Sequence, residues 1–155
     1  LPLLELEERP SSAAHPTPND RDGAGARVLI VEDNADLRAM LAEVLCAEGH
    51  EVHECEDGIS GLRQALALQP DVALVDIGLP FLDGYDVARG IRAGAPDAPI
   101  FLIAITGYGS DSVRKKCEAA GFDRHATKPL DLNVLLDWIR TRKEFSRSAA
   151  VTPSG

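Results

Sequence analysis

The sequence predicts an α/β fold, a doubly wound five-stranded parallel sheet. Two observations carry that prediction. Val72-Ala73-Leu74-Val75 is an apolar run without alternation that stops abruptly on the carboxylate of Asp76. Such a run suits a strand buried on both faces of a parallel sheet. Five strand-like runs alternate along the chain with five stretches of helical periodicity, the pattern of a parallel sheet covered by helices on both faces.

Each element has its own signal. Arg27 to Val31 reads as the first strand and ends in two acids, Glu32-Asp33. Leu37, Met40, Leu41, Val44 and Leu45 follow at i, i+3, i+4, i+7 and i+8, one apolar face of a first helix, with Gly49 suited to its C-terminal cap. Glu51 to Cys55 is a short second strand. The second helix carries Leu62, Ala65 and Leu66 and stops before Pro70. The third strand leads to Asp76, where Gly78 and Pro80 turn the chain. A third helix starts near Asp83-Gly84 and uses Val87, Ala88 and Ile91. Ile100 to Ile105 is a fourth buried strand, ended by Thr106. The fourth helix starts near Ser110, turns Val113, Cys117 and Ala120 inward and stops at Gly121. A fifth strand, about Asp123 to Ala126, leads to Thr127-Lys128-Pro129. The last helix starts after Asp131, a good N-cap, and buries Leu132, Leu135, Leu136 and Ile139.

Composition narrows the function. The chain has 155 residues and a formal net charge of −9, which argues against a general nucleic-acid surface. No apolar run approaches the roughly 18 residues that span a membrane, and no signal-peptide pattern is seen. Cys46, Cys55 and Cys117 are widely spaced and odd in number. They read as core packing residues of a reducing compartment, so a cytoplasmic location is expected. Residues 1–25 have linker composition, or close a preceding domain; residues 26–145 form the folded domain; residues 146–155 form a flexible tail.

Right-handed crossovers place the carboxyl ends of parallel strands on one edge, where ligands bind in open α/β sheets. Glu32, Asp33, Asp76, Thr106 and Lys128 can therefore converge. Three carboxylates in one pocket repel, by about 4 kcal/mol for each pair at about 4 Å and an effective dielectric near 20. A divalent cation relieves this, and all-oxygen ligands point to Mg²⁺, with Mn²⁺ as the alternative. Metal, the Lys128 ammonium and the Thr106 hydroxyl together match the oxygens of a phosphoryl group in transfer. Asp76, ionised at pH 7 without a base, is the candidate nucleophile. Each residue alone has an ordinary reading as cap, strand end or solvated charge; the convergence is what counts.

These residues resemble a known family. Val28-Leu29-Ile30-Val31-Glu32-Asp33-Asn34, then Asp76-Ile77-Gly78-Leu79-Pro80 with Asp83-Gly84, then Thr106-Gly107, then Lys128-Pro129 make the chain from about Arg27 to Arg142 resemble a receiver domain of bacterial two-component signalling. The resemblance implies a flavodoxin-like sheet of order 2-1-3-4-5, an order that general rules for this fold already illustrate with a chemotaxis receiver. It implies that Asp76 accepts phosphate from a phosphohistidine on a histidine kinase or histidine phosphotransfer domain. Glu32, Asp33, Asp76 and the Gly78 carbonyl would hold Mg²⁺, while Thr106 and Lys128 would bind phosphoryl oxygens. It further implies a cis Lys128–Pro129 bond. Asp-Ile-Gly-Leu-Pro, Thr-Gly-Tyr-Gly and Gly121-Phe122-Asp123 look most like receivers attached to hybrid sensor kinases. One departure is His125, which stands where receivers often carry a switching Tyr or Phe. Gly78 and Tyr108 flank the path of hydrolytic water in receivers, so an inward Tyr108 would shield the phosphate.

Two other classes compete. A metal-dependent phosphatase of doubly wound fold also uses Asp, Mg²⁺ and Lys, but commonly has a second Asp where this chain has Gly78. A pseudo-receiver used only for docking would not need Asp76, Thr106 and Lys128. A last expectation concerns Val134, Trp138, Thr141 and Phe145, spaced at i, i+4, i+7 and i+11. They form a second, outward stripe on the last helix, covered by a tail or arm of the chain, or offered to a partner or a second copy.

Overall fold

The computed structural model describes residues 25–144. The expectations for residues 1–24, for the tail and for Phe145 lie outside them. Five strands and five helices alternate: β1 (Arg27–Val31), α1 (Ala35–Ala47), β2 (Glu51–Cys55), α2 (Gly58–Leu68), β3 (Val72–Asp76), α3 (Gly84–Gly94), β4 (Phe101–Thr106), α4 (Asp111–Ala120), β5 (Arg124–Thr127) and α5 (Leu132–Arg140), then a 3₁₀ turn, Arg142–Glu144. The sheet order is β2-β1-β3-β4-β5, and every pairing is parallel.

Strand residues alternate between two cores, as the period of two demands. Leu29, Val31, Ala73, Val75, Leu102 and Ala104 face α2, α3 and α4. Val28, Ile30, Leu74, Ile103 and Ile105 face α1 and α5. Both faces are covered, so β3 and β4 are buried along their whole length.

Helix ends follow the side-chain chemistry. Asn34, Asp57, Asp83, Ser110 and Asp131 each cap a helix by accepting a backbone N–H bond. Gly49 (φ 93°) and Gly121 (φ 109°) close α1 and α4 in the left-handed region that favours glycine.

Several expectations are corrected. Met40 lies on the apolar stripe of α1 but is exposed, because β1 is met by Leu41 and Leu45 and the stripe's edge turns to solvent. Cys46 is exposed, while Cys55 and Cys117 are buried. β5 runs from Arg124 to Thr127, and Asp123 just before it already bonds Leu102 O through its N–H at 2.8 Å. Trp138 does not face outward freely: it is half-buried, packs against the core and lies under the Arg124 guanidinium, 5.8 Å from the ring centroid. Val134, next on that stripe, is 41% exposed.

One buried network had no signal in the sequence. Arg92 on α3 donates to the carbonyls of Gly121 (2.8 and 3.1 Å) and Ile100 (2.8 Å) and to Asp123 Oδ2 (3.1 Å). The same Asp123 oxygen accepts from Leu102 N at 2.9 Å, and the Asp123 side chain is fully buried. This cluster ties α3, β4 and the α4–β5 turn together at the amino edge of the sheet. Arg92→Met removes the guanidinium from a buried carboxylate, so it is expected to lower unfolding free energy on the order of 3 kcal/mol. A urea titration in which the midpoint barely moves would refute that role.

Candidate functional site

The opposite edge of the sheet carries the candidate site. Glu32 follows β1, and its N–H still bonds Cys55 O at 3.0 Å. The ladder thereby fixes the backbone and leaves the carboxylate fully buried. Asp33 is exposed beside it. Asp76 ends β3 at 6% exposure, and Thr106 ends β4 at 3%. Lys128 follows β5; its N–H bonds Thr106 O at 2.8 Å, and the Lys128–Pro129 peptide is cis as expected.

The side chains converge on an open cleft of about 460 Å³. Carboxylate oxygens of Glu32, Asp33 and Asp76 lie within 4.8 Å of one another. Lys128 Nζ sits 3.6 Å from Glu32 Oε1 and 3.7 Å from Asp76 Oδ2, outside direct hydrogen-bond range. Gly78 N donates to Asp76 Oδ1 at 3.3 Å. The Thr106 hydroxyl both accepts from Tyr108 N (3.0 Å) and donates to Tyr108 O (3.1 Å). It must exchange the second bond to donate to a ligand.

Glu32 shows the tension in this arrangement. Its Oε2 accepts from Asn34 N at 3.1 Å, but its buried Oε1 has no hydrogen-bond partner. Burial, and secondarily the Asp76 charge, raise its pKa from 4.5 to about 7; the Asn34 amide and Lys128 pull the other way. A buried acceptor with no donor, among three clustered carboxylates, suits coordination of a divalent cation. The residues present therefore suit the divalent metal expected from the sequence.

The expected site residues thus fall into two groups. Glu32, Asp33, Asp76, Gly78, Thr106 and Lys128 come together at the cleft. Tyr108 borders it, yet its residue is 76% exposed; the phenol turns to water and does not shield the pocket. His125 is half-buried within β5, and Trp138 belongs to α5 under Arg124. Two contributors were missed. Asn34 serves both as cap of α1 and as donor to Glu32, and a cap residue directly after Glu-Asp is a signal that the sequence does hold. Arg38 donates to the Glu32 carbonyl at 2.8 Å and pairs with Glu54 at 3.4 Å; one helix turn of spacing gave no such signal.

Comparison with known proteins bears on this geometry. Residues 28–140 match the family model described as "Response regulator receiver domain". The transcriptional regulatory protein PcoR of Escherichia coli is 32% identical over 128 residues, covering 81% of this chain and 55% of PcoR. RpaA of Synechocystis, a DNA-binding transcriptional regulator, is 31% identical over 74% of this chain and 47% of its own length. The chain thus spans about half the length of the curated relatives it matches. Among solved structures, the receiver domain of sensor histidine kinase PA1611 from Pseudomonas aeruginosa, with magnesium coordinated in its active site cleft, is similar at TM-score 0.68 and 34% identity, covering 77% of this chain and 97% of that one. A CheY-like receiver from Methanospirillum hungatei superposes at TM-score 0.71 with 27% identity, over 78% and 95% of the two chains.

The Glu32 shift has a defined sign. Its pKa is raised on folding, so its contribution to stability is complete below about pH 4.5 and is lost as pH rises through about 7. The loss is on the order of 3 kcal/mol. In chelator-treated protein, the Glu32→Gln variant should therefore gain on the parent between those pH values. Parallel stability curves for the two proteins would show that Glu32 is not strained.

Proposed function

The chain belongs to the response regulator receiver family, and from that premise we propose that Asp76 is its phosphoacceptor and that the cleft binds Mg²⁺. The single observation that carries the reading is the meeting of three carboxylates with Lys128 around a buried Glu32 oxygen that accepts no hydrogen bond. Glu32, Asp33, Asp76 and the Gly78 carbonyl would hold the metal. When bound, the metal neutralises charge on the carboxylates and on the incoming phosphoryl oxygens. The magnesium in the active site cleft of the similar Pseudomonas receiver supports this choice; Mn²⁺ is the alternative ion with the same oxygen preference.

The phosphoryl donor in this reading is a phosphohistidine on a kinase or phosphotransfer domain. An Asp76 oxygen attacks phosphorus in line. The P–N bond breaks, and the imidazole leaves with the electron pair and takes a proton from solvent. Lys128, already 3.7 Å from Asp76, stays beside the new acyl phosphate. Thr106 turns its hydroxyl from Tyr108 O to a phosphoryl oxygen. No second acid follows at Gly78, and a Cβ there would meet nothing within 4 Å, so the site lacks the acid/base group of a turnover phosphatase. The chain is accordingly read as a signalling module that catalyses its own phosphorylation. Attachment to a hybrid sensor kinase is favoured by the similarity to the Pseudomonas receiver. The half-length match to PcoR favours a transcriptional regulator instead; the sequence of the parent gene distinguishes the two. A partner or second copy docking on α5 would meet Val134, its exposed apolar residue. Among the described residues, no helix is long and apolar enough to cross a membrane.

Treatment with acetyl phosphate and Mg²⁺ should add one phosphoryl group to the parent and none to Asp76→Asn, read by intact mass. Labelling of the variant to the parent's extent would reassign the acceptor, and rapid multiple turnover would restore the phosphatase. Mg²⁺ affinity should also climb with pH and level off above about 7, because binding must expel the Glu32 proton. An affinity that does not change between about pH 5.5 and 7.5, roughly 1.5 units below and half a unit above that value, would remove Glu32 from the metal site.

A further inference from the structure

The loop between β3 and α3 is both strained and tightly seated. Phe81 has φ 69°, and Leu82 N bonds Pro80 O at 2.8 Å. This is a γ-turn with a positive central φ, which is rare and strained, and doubly so at a bulky residue. Packing does not account for the side chain, since Phe81 is 85% exposed. The far end of the loop returns to its beginning: Gly84 N bonds Ile77 O at 3.0 Å. A Cβ on Gly84 would lie 2.5 Å from the Asp76 carbonyl oxygen. Residues 77–84 therefore form a closed ring, and the ring includes Gly78, whose N–H already holds Asp76.

The ring has a seat on another helix. Gly58 is the first residue of α2 and is buried. A Cβ there would lie 1.9 Å from the Leu82 carbonyl oxygen and 2.8 Å from its carbon. These are backbone atoms, so no side-chain rotation relieves the clash. A methyl at position 58 must push Leu82, which belongs to the same closed ring as Gly78.

We propose that Gly58 is a positioning residue for the metal and phosphoryl site: by lacking a side chain, it lets α2 hold the β3–α3 ring so that the Gly78 carbonyl and Asp76 face the same ion. This rests on the metal reading given above. Gly58 touches no reacting atom; it acts through Leu82 and the ring. Supporting groups of this kind change metal affinity even when every ligand is intact.

The test is Mg²⁺ titration by calorimetry on folded protein, below the melting range fixed by circular dichroism. Gly58→Ala should bind Mg²⁺ roughly tenfold more weakly than the parent. Gly90→Ala is the packing control, because the atoms nearest a Cβ there belong to the flexible Leu62 side chain, the first at 2.8 Å, and not to backbone. It should lose heat stability yet keep the parent's affinity. Phe81→Gly, at an exposed position, covers the case in which Gly58→Ala does not fold. It relieves the positive φ and loosens the ring, so it should melt no lower than the parent and still bind Mg²⁺ more weakly. A general loss of stability would not produce that opposition. Parental affinity in folded Gly58→Ala, or in Phe81→Gly if the first variant does not fold, overturns the proposal. If the parent itself does not bind Mg²⁺, the metal reading falls, and this inference with it.

Discussion

The crowding of three carboxylates, one of them fully buried, governs the site edge of this molecule. Glu32, Asp33 and Asp76 are brought within one ion's reach because parallel strands β1 and β3 are neighbours and end at the same level. The sheet enforces the crowding: Glu32 is placed by the extension of the β1–β2 ladder, and Asp76 by being the last residue of a strand paired on both sides. Lys128 offsets part of the charge from 3.6 to 3.7 Å, but Glu32 answers burial by holding its proton to about pH 7.

The same crowding explains why so much of the site was legible in the sequence. An acid that stops an apolar run is conspicuous, and the α/β pattern fixes which edge it must occupy. Hence Glu32, Asp33, Asp76, Thr106 and Lys128 could be grouped from one chain. What stayed hidden depends on packing between elements distant in sequence. Nothing in the spacing of Arg92 and Asp123 indicates that they meet. Gly58 reads as an ordinary helix start until Leu82 is seen against it. Periodicity overreached at the edges of helical faces, at Met40 and Trp138. It marks which residues share a face of a helix, but not how wide a strip of that face the sheet covers.

Side-chain direction was the other blind spot. Tyr108 sits where an aromatic ring could close the cleft, yet its backbone binds Thr106 while its side chain faces water. The sequence names the residue, and only the local backbone decides which part of it the cleft meets. With Gly78 equally open, the cleft stays accessible from solvent.

The Arg92 cluster lies at the edge of the sheet opposite the cleft. It gathers four donor bonds onto two carbonyls and one buried carboxylate, while the cleft edge keeps an orphaned oxygen and a strained γ-turn. The molecule therefore has a hard end and a soft end. Fluctuations that leave the core intact are channelled toward the soft end. Backbone amides around Gly78 and Gly107 would exchange with solvent through small local openings, while those around Leu102 would wait for the whole domain to come apart. Chemistry and rearrangement are then confined to one rim, and what arrives there does not have to be withstood by the rest of the fold.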